Sequence, residues 1–125
     1  MRVAIIGSRN AKNLDIFQMI QRVPRNCSEI ISGGAVGVDA AAKVIAQVLG
    51  TIYTEFPPEY SRYESKAPMM RNRKIVERAD LVLAFWDLSS RGTAGTLNLC
   101  IQGRVPFRIF PLHEYQLPEE DALVR

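Results

Sequence analysis

At 125 residues and 14.0 kDa, the chain has the length of one ordinary domain and no room for a second. A hydrophobic share of 47% beside 23% charged residues excludes a disordered polar chain, and no apolar run nears the roughly 18–20 residues that span a bilayer. The formal net charge of +3 favours anionic ligands but is too small to announce a nucleic-acid surface, so neither nucleic acid nor a membrane is expected as a partner.

The chain opens on a β-branched run at residues 3–6, read as a first strand; with no leader-like apolar core before it, the protein is expected to stay in the cytoplasm. Ile16, Phe17, Ile20 and Val23 then recur at helical spacing behind a candidate cap at Asn13, and Pro24 ends the pattern. Residues 29–32 form the second strand. Val38, Ala41, Ala42, Ile45 and Leu49 make the next apolar helical stripe, closed by Gly50 just past its end. A third strand at 52–56 leads into a loop over 57–68, where Tyr60, Arg62 and Tyr63 would either form a lid that stacks on a base or be solvated surface. A helix over 69–78 carries Met69, Ile75 and Val76, with Ala79 after it, on one face; a strand at 81–86, a helix over 93–102 and a strand at 105–110 follow. The segment 111–125 is read as an arm or a disordered tail, and its His113 is given no role.

Strands alternating with helices through short connections imply parallel pairing by right-handed crossovers, because a tight hairpin cannot reach a parallel neighbour. The expected architecture is therefore α/β, a doubly wound, mostly parallel five-stranded sheet forming a single domain. A strand order of 3-2-1-4-5 would open a ligand crevice at the switch point between the first and fourth strands. Cys27 and Cys100 have neither CxxC spacing nor a neighbouring histidine, so they are read as free, buried thiols. No metal and no cofactor is expected.

Glycine falls at three strand ends. The first strand leads into Gly7, Ser8, Arg9 and Asn10, the second into Gly33, Gly34 and Gly37, and the fourth towards Gly92, Thr93, Gly95 and Thr96. Glycine lets backbone N–H groups approach a ligand, and the helix that follows offers its positive end to an anion. Any one such turn needs glycine simply to bend. Three on one edge of the sheet suggest a phosphate-binding rim. The stretch GGAVGVD fits neither GxGxxG nor a P-loop, so Walker-type ATP hydrolysis is not expected.

The strings VAIIGSRN, ISGGAVGVDAAA, MMRNRKIVERADLVLAFWD and RGTAGT, in this order and spacing, resemble the SLOG superfamily over nearly the whole chain. That group holds Smf-type DNA-processing proteins, the LONELY GUY phosphoribohydrolases and small stand-alone domains of the YspA type, the last most similar in length and in the GSRN and GGAxGVD motifs. The resemblance implies a Rossmann-like fold, a phosphorylated nucleotide or nucleotide-derived ligand, and a homodimer. Matched to the phosphoribohydrolase motif, Gly95 and Thr96 take its glycine and threonine, Arg73 and Lys74 its arginine-lysine pair, and Leu99 the place of its glutamate. Leucine there removes the acid that assists N-glycosidic cleavage, so a carboxylate would have to come from Asp39, Glu59 or Asp87. The catalytic candidates are Arg73, Asp39 and Asp87.

The remaining polar residues each carry two readings. Asn72 lies among the core positions of its helix, in the first turn, where it would bind a ligand or tie two loops together. Arg71 and Arg73 flank that face on opposite sides, so at most one reaches the site; Arg73 has the family match and, as its other explanation, a pair with Glu77. Arg9 would clamp a phosphate or stay in solvent. Asp39 would bind a ribose hydroxyl, activate water, or stabilise its helix dipole. Trp86 would stack on a base or pack in the core, and Asp87 would bind sugar. The expected function is binding of such a nucleotide at the C-terminal edge of the sheet, with a sensor as one form of it; nucleoside-monophosphate hydrolysis and single-stranded DNA binding are the alternatives.

Overall fold

The computed structural model describes residues 1–118. Five parallel strands, β1 (Arg2–Gly7), β2 (Glu29–Ser32), β3 (Ile52–Glu55), β4 (Leu81–Trp86) and β5 (Phe107–Pro111), lie in the order β3-β2-β1-β4-β5. The strand order and the doubly wound α/β class expected from the alternation of patterns are those observed. The central strands are apolar on both sides, as they must be when helices cover both faces. Val3 and Ile5 of β1 and Leu83 and Phe85 of β4 point into one core with α1 (Ile16–Ile20) and α2 (Val38–Leu49). Ala4, Ile6, Val82 and Ala84, the alternate residues, point into the other with α4 (Ala67–Arg78) and α5 (Arg91–Gly103).

Local chemistry sets the helix ends, and in several places differently from the sequence expectation. The cap of α1 is Asp15, whose carboxylate accepts from the Gln18 N–H at 3.2 Å; Asn13 instead takes a left-handed φ of 53° and its carbonyl receives the Leu117 N–H. The α2 stripe runs as expected to Gly50, left-handed at φ 68°. Segment 57–68 is less irregular than a loop: it holds α3 (Tyr60–Tyr63) and a 3-10 turn, Glu64–Lys66. The fourth helix starts at Ala67 with proline in its first turn, so Met69 faces outward, 47% exposed, and Ala67 and Arg71 take the inward positions. The fifth strand starts two residues late, because the Val105 N–H closes α5 on the Cys100 carbonyl and the Pro106 carbonyl receives Val82.

The start of the expected tail is part of the core. Leu112 and Tyr115, on a 3-10 turn (Leu112–Tyr115), are buried; the Tyr115 ring meets Phe85 edge-on at 5.1 Å and its hydroxyl accepts from Arg22 Nε at 2.7 Å. Residues 119–125 of that expected arm lie outside the described residues. Cys100 is buried and Cys27 only half-buried. At the N-terminal edge of the sheet, buried Glu29 accepts from Arg78 Nη2 and Nε, at 2.8 and 3.0 Å. None of the described helices is long and apolar enough to cross a membrane.

Candidate functional site

A cavity of about 370 Å³ opens at the C-terminal ends of β1 and β4, the switch point of the sheet. Ile6 and Ile75 give it an apolar floor. Gly7, Arg9 and Asn10 after β1, Ala35 and Asp39 after β2, and Ser90, Gly92, Thr93 and Thr96 around the start of α5 form its walls, closed by Pro68, Arg71 and Asn72 of α4. The loops after the first, second and fourth strands thus converge on one hollow.

The site is built around Arg71. Helical spacing puts Arg71 one turn before buried Ile75 and so on the inward face, whereas Arg73, two residues on, is carried to the opposite side and is exposed. Only 7% exposed, Arg71 donates from Nη1 to the Gly33 carbonyl at 3.0 Å and from Nε to Asn72 Oδ1 at 2.8 Å. A guanidinium has five N–H donors, so three are left without a protein partner among the described residues. Burial lowers the arginine's pKa, while the charge of Asp39 acts the other way. Asp39 sits in the first turn of α2 with Oδ2 accepting from Ala35 N–H at 3.2 Å; burial pushes its carboxyl up, against the pull of that N–H and of Arg71 and Arg9. Two guanidiniums against one carboxylate, beside the open start of α5, make the hollow cationic.

Loop geometry brings these groups to register. Gly37 has φ 74° and a Cβ there would collide with the Ser8 and Arg9 carbonyls, so only glycine lets α2 start this close to the first loop, where Val38 N–H donates to the Ser8 carbonyl. Ser8 is buried and shares a 3.1 Å hydrogen bond with Ser90, and its Oγ also accepts from Asp87 N–H. Asp87 in turn accepts from the Ser89 and Ser90 N–H groups at 2.9 and 2.8 Å and from the Ser90 hydroxyl. Those backbone bonds, led by Ser89 and Ser90, hold its carboxyl far below the usual carboxylate range. Asp87 is a loop cap that aims Ser90 and the start of α5 at the cavity.

Of the residues singled out from sequence, Gly7, Arg9, Asp39, Asn72, Gly92, Thr93 and Thr96 line this cavity, and Gly33 and Gly34 line a smaller one beside it. Ser8, Gly37, Arg73, Trp86, Asp87 and Gly95 line neither. Trp86 is spent on structure: its indole N–H donates to the Ser90 carbonyl at 3.0 Å and its ring packs on the α4/α5 core. Glu59 pairs with Lys74 at 2.6 Å, away from the cavity, and Leu99 packs against the same core as Trp86. Asp39 is the one carboxylate of the three proposed substitutes that reaches the hollow. Arg71 is weighed below Arg73 on the strength of the motif, Asn10 is read only as part of the first glycine turn, and Ser90, Ala35 and Pro68 were missed. For Arg71 the signal was its i,i+4 spacing from Ile75; for Ser90 and Ala35 no local pattern exists, since loops bring them in.

No protein-family model and no curated protein matches the chain. Among solved structures, DNA processing protein A from Helicobacter pylori, described for its single-stranded DNA binding mode, is similar with a TM-score of 0.60 and 21% sequence identity, over 99% of this chain and 71% of its own. At that identity the likeness shows the fold, and it agrees with the resemblance to Smf-type proteins. It also corrects the expectation that nucleic acid is not a partner. A protein of this fold is described as binding single-stranded DNA, and a charge of +3 summed over a chain does not report how cationic one cavity is.

Proposed function

We propose that the chain binds a nucleotide through its phosphate in the cavity at the C-terminal edge of the sheet. The observation that carries this reading is Arg71, a buried guanidinium anchored to Gly33 and Asn72 with three N–H donors unspent among the described residues, beside the start of α5. A fixed planar fork next to orphan helix N–H groups suits a tetrahedral anion, and the apolar floor of Ile6 and Ile75 suits the flat face of a base. Thr93 supplies a hydroxyl, and Asp39 supplies an acceptor for a sugar hydroxyl. Calorimetric titration with AMP and with inorganic phosphate tests it: both should bind, AMP more tightly, and Arg71→Met should weaken both. Absence of binding at millimolar concentration by the folded protein would overturn it.

A second reading, in which the phosphate belongs to a single DNA strand, is favoured by the likeness to a protein described with that ligand. Affinity for an oligodeoxynucleotide should then fall steeply with salt, because each phosphate neutralised releases counterions.

A further inference from the structure

A second hollow, of about 260 Å³, adjoins the first and shares Arg9, Ala35 and Arg71 with it. The two compartments differ in chemistry. The first has serine and threonine hydroxyls and a helix start; the second is walled by Val36, Pro57 and Pro58, with a single carboxylate, Glu55. Glu55 is held in place: its Oε1 accepts from the Tyr53 hydroxyl at 3.0 Å, Tyr53 hydrogen-bonds Ser32 Oγ at 2.7 Å, and Ser32 Oγ takes the Gly34 N–H. The partition is thin because it is backbone. A Cβ on Gly33 would strike the Arg71 guanidinium, and one on Gly34 would strike the Glu55 carboxyl.

We infer that the ligand's phosphate is internal, a phosphodiester joining two nucleosidyl units, with the phosphate at the Arg9–Arg71 wall and one unit in each compartment. The inference rests on the nucleotide reading above and names the class of ligand for it. Glu55 repels a phosphate but accepts hydrogen bonds from a sugar hydroxyl or an exocyclic amine, and the prolyl rings and Val36 offer a surface on which a base can lie. The second compartment therefore suits a neutral nucleoside and not an anion. A nucleotide ending in its phosphate fills the first compartment alone. That compartment stands near the lower end of the roughly 300–1,000 Å³ usual for small-molecule sites, and the second falls below it, so neither accounts for the full width of the opening.

The test is calorimetric titration of the full chain, at one ionic strength, with AMP, with adenylyl-adenosine, and with an oligodeoxyadenylate. Adenylyl-adenosine carries less negative charge than AMP, so charge alone predicts the weaker binding. The expected result is the reverse, a gain of about tenfold over AMP. Val36→Ser, an uncharged change at an exposed side chain of the second compartment, should reduce that gain and leave AMP binding unchanged. Equal or tighter binding of AMP, or a loss in Val36→Ser that is the same for both ligands, overturns the inference while Arg71-dependent AMP binding keeps the nucleotide reading. Failure of all three ligands to bind overturns both. A further rise from adenylyl-adenosine to the oligonucleotide, with a steep salt dependence, assigns the phosphodiester to a DNA strand, and equal affinity assigns it to a small dinucleotide.

Discussion

Replacing Arg71 by methionine separates what the guanidinium does for the fold from what it does for a ligand. Methionine keeps much of the volume and can follow the same path, so the cavity cost is small. What is lost is polar: the Gly33 carbonyl and Asn72 Oδ1 each lose a partner, at 3.0 and 2.8 Å in the native protein. An acceptor left unsatisfied in a buried place costs about 1–3 kcal/mol; Asn72, half-exposed to the cavity, can turn to water, so Gly33 dominates. Unfolding should therefore lose about 1–3 kcal/mol, a fall in Tm of several degrees at this chain length. Asp39 loses the larger of two favourable charge interactions, so its carboxyl, already raised by burial, rises further. A carboxyl whose folded pKa exceeds its unfolded value adds stability below the unfolded value and loses it as pH rises through the folded one. The variant should accordingly lose more of its stability between acid and neutral pH than the wild type does. Ligand binding loses a charge-assisted contact worth about 1.5–3 kcal/mol, or about 10- to 150-fold in affinity. Thermal unfolding over a pH series and calorimetry with AMP measure the two effects, and Arg71→Lys, which restores charge without the fork, should recover only part of the binding. A variant that melts with wild-type pH dependence and binds AMP as the wild type does would refute the reasoning.

Gly37→Ala forces a side chain onto φ 74° and into the Ser8 and Arg9 carbonyls; about 1–3 kcal/mol of stability should be lost, and an unchanged Tm would show that the first loop is not packed on α2 as described. Arg104 holds the left-handed position after α5 at φ 55°, where glycine is at ease; Arg104→Gly should raise stability by up to about 1 kcal/mol in chemical denaturation, and a fall would contradict that assignment. Arg78 holds the Glu29 carboxyl below its usual value of 4.5, so this pair stabilises the fold above that pH and the contribution disappears as pH falls through the lowered value. Glu29→Gln should flatten the acid limb of the stability profile, and an acid limb identical to the wild type's would dismiss the pair as its source.

Periodicity together with turn signals was enough for the scaffold. Val3, Ala4, Ile5 and Ile6, a short β-branched run bounded by Gly7 and apolar on both faces, fit a strand covered twice, and the helical stripe ending at Gly50 fits a helix lying on such a sheet. Gly7 and Arg9, Gly33 and Gly34, and Gly92 and Thr93 were legible as a rim because the residues that turn a parallel strand into a helix all lie at one edge. Burial and direction were not legible. Motif similarity favoured Arg73, yet the phase of α4, set by where Pro68 lets it begin, turns Arg71 inward and Arg73 out. Asp87 and Trp86 stand at the switch point in sequence, but the Ser89 and Ser90 N–H groups and the Ser90 carbonyl claim their polar atoms. A sequence states which side chains have chemistry to offer; only the folded chain decides which of them its own backbone satisfies first and which remain free to meet something else.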